Sequence, residues 1–173
     1  MRLNGIGKFV ACAGLALAFL ATPGSATAQG GDTVLTPENV QKLLPDSLYY
    51  KGQSAPAQKR NSGGVKFSDG YYVLATLVDT SGYSSDVQAK YQAYFIAELP
   101  LKFGGQSLPA GVYGIGFIAD NKVVVTDVGG HDVATVESQN DAEMKRPRPL
   151  QVTADAGGGF RLYAGRRYVT FSK

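Results

Sequence analysis

The chain has 173 residues, a formal net charge of +3, one cysteine and one histidine. Its hydrophobic share of 44% is too high for a disordered polypeptide, and its small charge is not the basic surplus of a general nucleic-acid binder. One cysteine and one histidine exclude an intrachain disulfide framework and a multi-histidine metal centre, so no metal and no cofactor are expected.

The first residues read as an address. Arg2 and Lys8 precede the apolar run "FVACAGLALAFLA", and Ala26-Thr27-Ala28 then offers a small-x-small cleavage site. The run falls short of the roughly 20 apolar residues that span a bilayer. Residues 1–28 are therefore expected to be a signal peptide, and the protein to be exported to the periplasm or the extracellular space. Cys12 lies too early in the apolar run for lipid attachment and leaves with the signal. Removing Arg2 and Lys8, with no acid lost, brings the mature chain to about +1. About 145 residues remain, enough for one domain that buries roughly 70% of its unfolded surface.

Residues 29–63 are expected to form an N-terminal lead with one short helix. In "TPENVQKLLP", Thr36 is an N-cap, Pro37 suits the first helical position, and Glu38 complements the helix dipole. Val40, Leu43 and Leu44 share a face, and Pro45 ends the helix. The stretch "YYKGQSAPAQKRNSGG" reads as turn and loop.

Residues 64–173 have β texture. Asp69-Gly70 predicts a hairpin setting Phe67 against Tyr72 and Val65 against Leu74. A loop follows in which one or two helical turns align Val87 with Tyr91. "AYFIAEL" is a strand, "LKFGGQSL" a hairpin about Gly104-Gly105, and Asp120-Asn121 the turn of a hairpin pairing Ile118 with Val123. "DVATVES" and "LQVTAD" are strands. The closing hairpin turns at Gly165-Arg166 and pairs Tyr163 with Tyr168, Leu162 with Val169 and Phe160 with Phe171. The pattern predicts an all-β fold, a small antiparallel barrel or sandwich of about eight to ten short strands. The meander-like order leans towards a barrel, because closure removes exposed edges. A membrane-spanning barrel is disfavoured, since "YYVLATLV" and "VYGIGFIA" are apolar on both strand faces.

Gly111, Gly114 and Gly116 follow the order G-x-x-G-x-G inside a strand, which is not the G-x-G-x-x-G of a dinucleotide loop opening a helix. Gly114 and Gly116 leave bare backbone on one strand face, suited to bending, to close packing or to a ligand groove beside Tyr113. His131, between Asp127 and Asp132, lacks a recognisable nucleophile context and is read as a turn residue. Glu98, Asp79, Asp127 and Glu137 are the carboxylates a glycosidase-like pair would draw on. Arg146, Arg148, Arg161, Arg166 and Arg167 dominate the C-terminal third and form the candidate anion or ligand site. The expected function is that of an exported, non-enzymatic β-domain binding a small molecule or an anionic surface. The alternatives are a structural or assembly subunit of the envelope or extracellular matrix, and a hydrolase using paired carboxylates.

Overall fold

The computed structural model describes residues 31–173, so the expected signal peptide lies outside the described residues. The fold is all-β. Sheet 1 has eight strands: β1 (Thr33–Leu35), β2 (Ser47–Tyr50), β3 (Gln53–Lys66), β4 (Tyr72–Val78), β5 (Ala93–Ala97), β8 (Gly111–Phe117), β9 (Lys122–Thr126) and β10 (Asp132–Glu137). Sheet 2 has six: β6 (Leu101–Phe103), β7 (Gln106–Leu108), β11 (Gln139–Asn140), β12 (Arg148–Ala154), β13 (Phe160–Gly165) and β14 (Arg167–Ser172). All pairings are antiparallel. Neither sheet closes on itself, which makes the architecture a sandwich and corrects the leaning towards a barrel.

The core lies between the sheets. Val65, Val73, Phe95, Ile115, Val123 and Val125 of sheet 1 belong to one buried cluster with Phe103, Leu150, Phe160, Leu162, Val169 and Phe171 of sheet 2. Aromatic edges interlock there, with Phe95 against Phe103 and Phe171 at centroid distances of 5.3 and 5.8 Å. The outer face of sheet 1 is covered as well. Helix α1 (Pro37–Leu43) buries Val40 and Leu44 on Leu74. Helix α2 (Ser85–Lys90) lies beside a second cluster of Leu48, Tyr50, Tyr83, Tyr91 and Tyr94. Burial on both faces explains why "YYVLATLV" is apolar throughout.

Residues 49–64 depart from the expected turn and loop. They belong to the β2–β3 hairpin, turning at Lys51-Gly52, and β3 runs across the expected boundary at 63/64. The lead thus contributes β1, β2 and most of β3 to the fourteen strands found among the described residues. Its polar residues carry little strand signal, yet backbone pairing to β1, β2 and β4 requires no apolar side chain. Between Gln58 and Ser62 the strand bulges, stapled where the Ser62 hydroxyl donates to Lys59 O at 2.6 Å. Beyond the bulge β3 leans on β12. A Cβ on Gly63 would sit 2.6 Å from the Val152 backbone nitrogen, so only glycine permits that approach.

Two hairpins turn where expected but pair one residue off. Gly70, at φ +92°, is a bulge glycine after Ser68-Asp69, so Val65 opposes Val73. Leu74 instead faces α1. At Asp120-Asn121, Lys122 N donates to Ala119 O while Lys122 O accepts from Ile118 N. Ile118 and Ala119 together oppose one residue, and Phe117 rather than Ile118 meets Val123. The closing hairpin has its expected register throughout.

Candidate functional site: a basic rim

The segment between β11 and β12 arches over the end of the β13–β14 hairpin. β11 flanks β14 through Asn140 opposite Arg167, and β12 flanks β13 through Arg148 opposite Gly165. The arch is held twice at its first foot, Asp141: Asp141 N donates to Arg166 O at 2.9 Å, and the Tyr163 hydroxyl donates to Asp141 Oδ2 at 3.0 Å. Pro147 and Pro149 keep its descending arm extended. Lys145 and Arg146 in the arch, Arg148 at the start of β12 and Arg166 in the neighbouring turn are all exposed. None of the four forms an ion pair among the described residues. Glu143 in the arch and Glu38 at the start of α1 dilute the positive field. The Glu38 carboxyl is held below its ordinary value first by backbone and Thr36 hydrogen bonds, with Arg148 adding a smaller pull.

Arg161 and Arg167 do not join this group. They point to opposite faces of the hairpin, because Arg161 lies opposite Thr170 while Arg167 lies opposite Ala164. Arg161 Nε donates to Asp155 Oδ1 at 2.6 Å, its Nη1 donates to the Tyr163 hydroxyl, and the guanidinium stacks 4.4 Å over the Tyr168 ring. The Tyr163 contact above all raises it beyond the ordinary arginine value. The Tyr168 hydroxyl in turn bonds Gln139. Arg167 turns inward. Its Nη2 donates to Lys122 O at 3.0 Å and to Ser138 Oγ at 2.9 Å, and the guanidinium lies over Phe117. Arg161 braces the turn between β12 and β13, and Arg167 ties β14 to β9 and to Ser138, just before β11, while Arg146, Arg148 and Arg166 face solvent.

The glycine strip is filled by the protein itself. Gly114 and Gly116 are buried, and a Cβ on Gly114 would lie 2.6 Å from Thr126 Oγ1 and 2.8 Å from the Tyr50 ring. On Gly116 it would lie 2.6 Å from Lys90 Cα in α2. Tyr113 faces the opposite way, into the inter-sheet core, and its hydroxyl donates to Pro109 O.

The remaining candidates are taken up locally. The His131 side chain is 83% exposed; its Nδ1 and its backbone N–H both meet the Asp127 carboxylate, which the backbone bond in particular holds below the ordinary aspartate value. Glu98 accepts from Tyr72 N and Asp79 from Ser81 N, at opposite ends of β4. Glu137 pairs with Lys122, at the end of the β9–β10 ladder away from Asp127. No cluster of three or more metal-ligating side chains occurs among the described residues. Nor is any helix among them long and apolar enough to cross a membrane.

Three surface clefts, of about 190, 140 and 240 Å³, lie away from the rim. The second is walled by Tyr50 and Lys51 of the β2–β3 hairpin, Asp86, Val87 and Lys90 of α2, and Gly130 of the β9–β10 loop. Nothing in the sequence marks it beyond the Lys51-Gly52 turn dipeptide, because its walls come from three distant segments. Searches of protein-family models, curated proteins and solved structures found no match to this chain.

Proposed function

We propose that the protein is exported, through cleavage after Ala28, and serves as a non-enzymatic binding domain whose contact with an anionic partner is the rim of Lys145, Arg146, Arg148 and Arg166. The observation that carries this reading is the partition of the C-terminal arginines. Arg161 and Arg167 are consumed by contacts within the fold, and three are left at one edge with no ion-pair partner among the described residues. Arginine forks suit carboxylate, phosphate or sulfate groups, which they engage two atoms at a time. The alternative of a structural or assembly subunit finds less support at the β10 edge of sheet 1. The exposed edge of β10 is broken by a bulge at Val133, and its Thr135 carbonyl already accepts from Gln106 Nε2.

Retention on a dextran sulfate column tests the rim. Arg148→Glu with Arg166→Glu is expected to lower the salt needed for elution. Lys66→Glu with Lys102→Glu makes the same change in net charge at the far end of the sandwich and should leave elution near that of the wild type. Equal loss in both pairs would mean that only overall charge matters, and the rim would be abandoned. N-terminal sequencing of the secreted product checks export, the expected first residue being Gln29.

A further inference from the structure

The 140 Å³ cleft beside α2 is charged, and its charges are incompletely matched. Lys90 Nζ meets both oxygens of Asp132 at 2.8 and 2.9 Å, satisfying one cation. Lys51 and Asp86 line the same cleft, yet neither forms an ion pair among the described residues, with each other or with anything else. A free ammonium and a free carboxylate thus border one small space without closing it.

The cleft is also held open by the backbone. Lys51 is a non-glycine residue at φ 49°, and its N–H is tied to Val128 O at 2.7 Å. Gly130, at φ +86°, brings the opposite wall to the Lys51 stem, where an added Cβ would lie 3.0 Å from Lys51 Cδ. The hairpin wall is fixed further by the Tyr50 hydroxyl, which shares a 2.7 Å hydrogen bond with Thr126 Oγ1. The left-handed conformation at Lys51 is the one a two-residue hairpin turn requires, so the turn itself fixes where that residue stands.

We infer that this cleft binds a small zwitterion of the α-amino acid class, its carboxylate on Lys51 and its ammonium on Asp86. The volume admits only the smallest members. The geometry rewards both charges on one molecule, since a lone anion meets Asp86 unpaired and a lone cation meets Lys51 unpaired. This site is independent of the basic rim.

Amide chemical shifts of the ¹⁵N-labelled protein, titrated separately with glycine, acetate and methylammonium, test the inference. Glycine is expected to move the amides of Lys51, Asp86 and Gly130 saturably in the millimolar range, and the two half-ligands to move them at least about tenfold more weakly, the equivalent of 1.4 kcal/mol. Lys51→Asn, which keeps a residue tolerant of left-handed backbone, and Asp86→Asn should each weaken glycine by a similar factor while leaving distant amides in place. If acetate titrates these amides as well as glycine does, if none of the three ligands titrates them, or if glycine binds both variants unchanged, the site is not a zwitterion site.

Discussion

At the scale of single residues, the two buried glycines of β8 show how a missing side chain is used. Gly116 faces Lys90 Cα, Lys90 O and Ala89 O, all backbone atoms of α2, at 2.6–2.7 Å from where a Cβ would stand. Helix α2 fully buries no residue of its own, and this close approach adds to the packing of Val87 and the Lys90–Asp132 pair in seating it. Gly116→Ala is therefore expected to lift α2 and cost about 1–3 kcal/mol, as overpacking does. Gly82→Ala, at a position with ordinary φ and no atom nearer than 4.0 Å, should stay within about 0.5 kcal/mol. Urea unfolding midpoints compare the two, and near-ultraviolet circular dichroism should report loosening of the stacked Tyr50 and Tyr91 rings only for Gly116→Ala. Those rings lie 3.8 Å apart.

At the scale of elements, local chemistry was legible wherever an element is closed by its own residues. Thr36 caps α1, its Oγ1 accepting from Asn39 N at 3.4 Å, and Pro37 opens the helix. Thr36→Ala should cost about 0.5–1 kcal/mol in thermal or urea unfolding, the lower part of the usual cap range because this bond is long and exposed. Gly104 and Gly105, at φ 55° and 83°, make the two-residue turn that their dipeptide announces. The bulges were not legible. Asp69-Gly70 and Asp120-Asn121 mark turns, but whether the ladder resumes directly or after an extra residue depends on which faces must be buried. Here sheet 2 claims Val73 and Val123 while α1 claims Leu74, and one added residue in each hairpin meets those demands. The basic rim was half legible. Its arginines stand out in the sequence, but the opposite faces taken by Arg161 and Arg167 follow from a ladder in which the two lie three rows apart.

At the scale of the whole molecule, tyrosine burial predicts the response to pH. Burial pushes the phenols of Tyr50, Tyr83, Tyr91, Tyr94, Tyr113 and Tyr163 above their ordinary value. A raised folded-state value means that ionisation is easier in the unfolded chain. The associated stability is whole below about pH 10 and is lost as pH rises through the folded values. On the acid side, Asp46, Asp69, Asp79 and Asp127 are held below the ordinary aspartate value, first by hydrogen bonds from Lys59, Lys173, Ser81 N and His131 N respectively. Their contribution is present above about pH 4 and disappears as pH falls through the lowered values; three are exposed and Asp127 is partly so, which keeps it small. Urea midpoints across pH are expected to form a plateau with a shallow acid shoulder and a steep alkaline fall. Phenolate absorbance should show the buried tyrosines ionising together with unfolding, and ionisation of all ten tyrosines in a still-folded protein would contradict the burial described.

The sequence by itself determined the β class, the N-terminal helix with its cap, most turn positions and the register of the closing hairpin. Each of these is set within a few residues by φ preference, capping geometry and alternation of apolar side chains. Tertiary structure alone decided that the sheets stay open as a sandwich, that residues 49–64 belong to a β-hairpin, and that the glycine strip seats a helix and a tyrosine. It also decided which arginines remain free. Those outcomes depend on what lies across a sheet from a residue, and facing partners come from segments far apart in the chain.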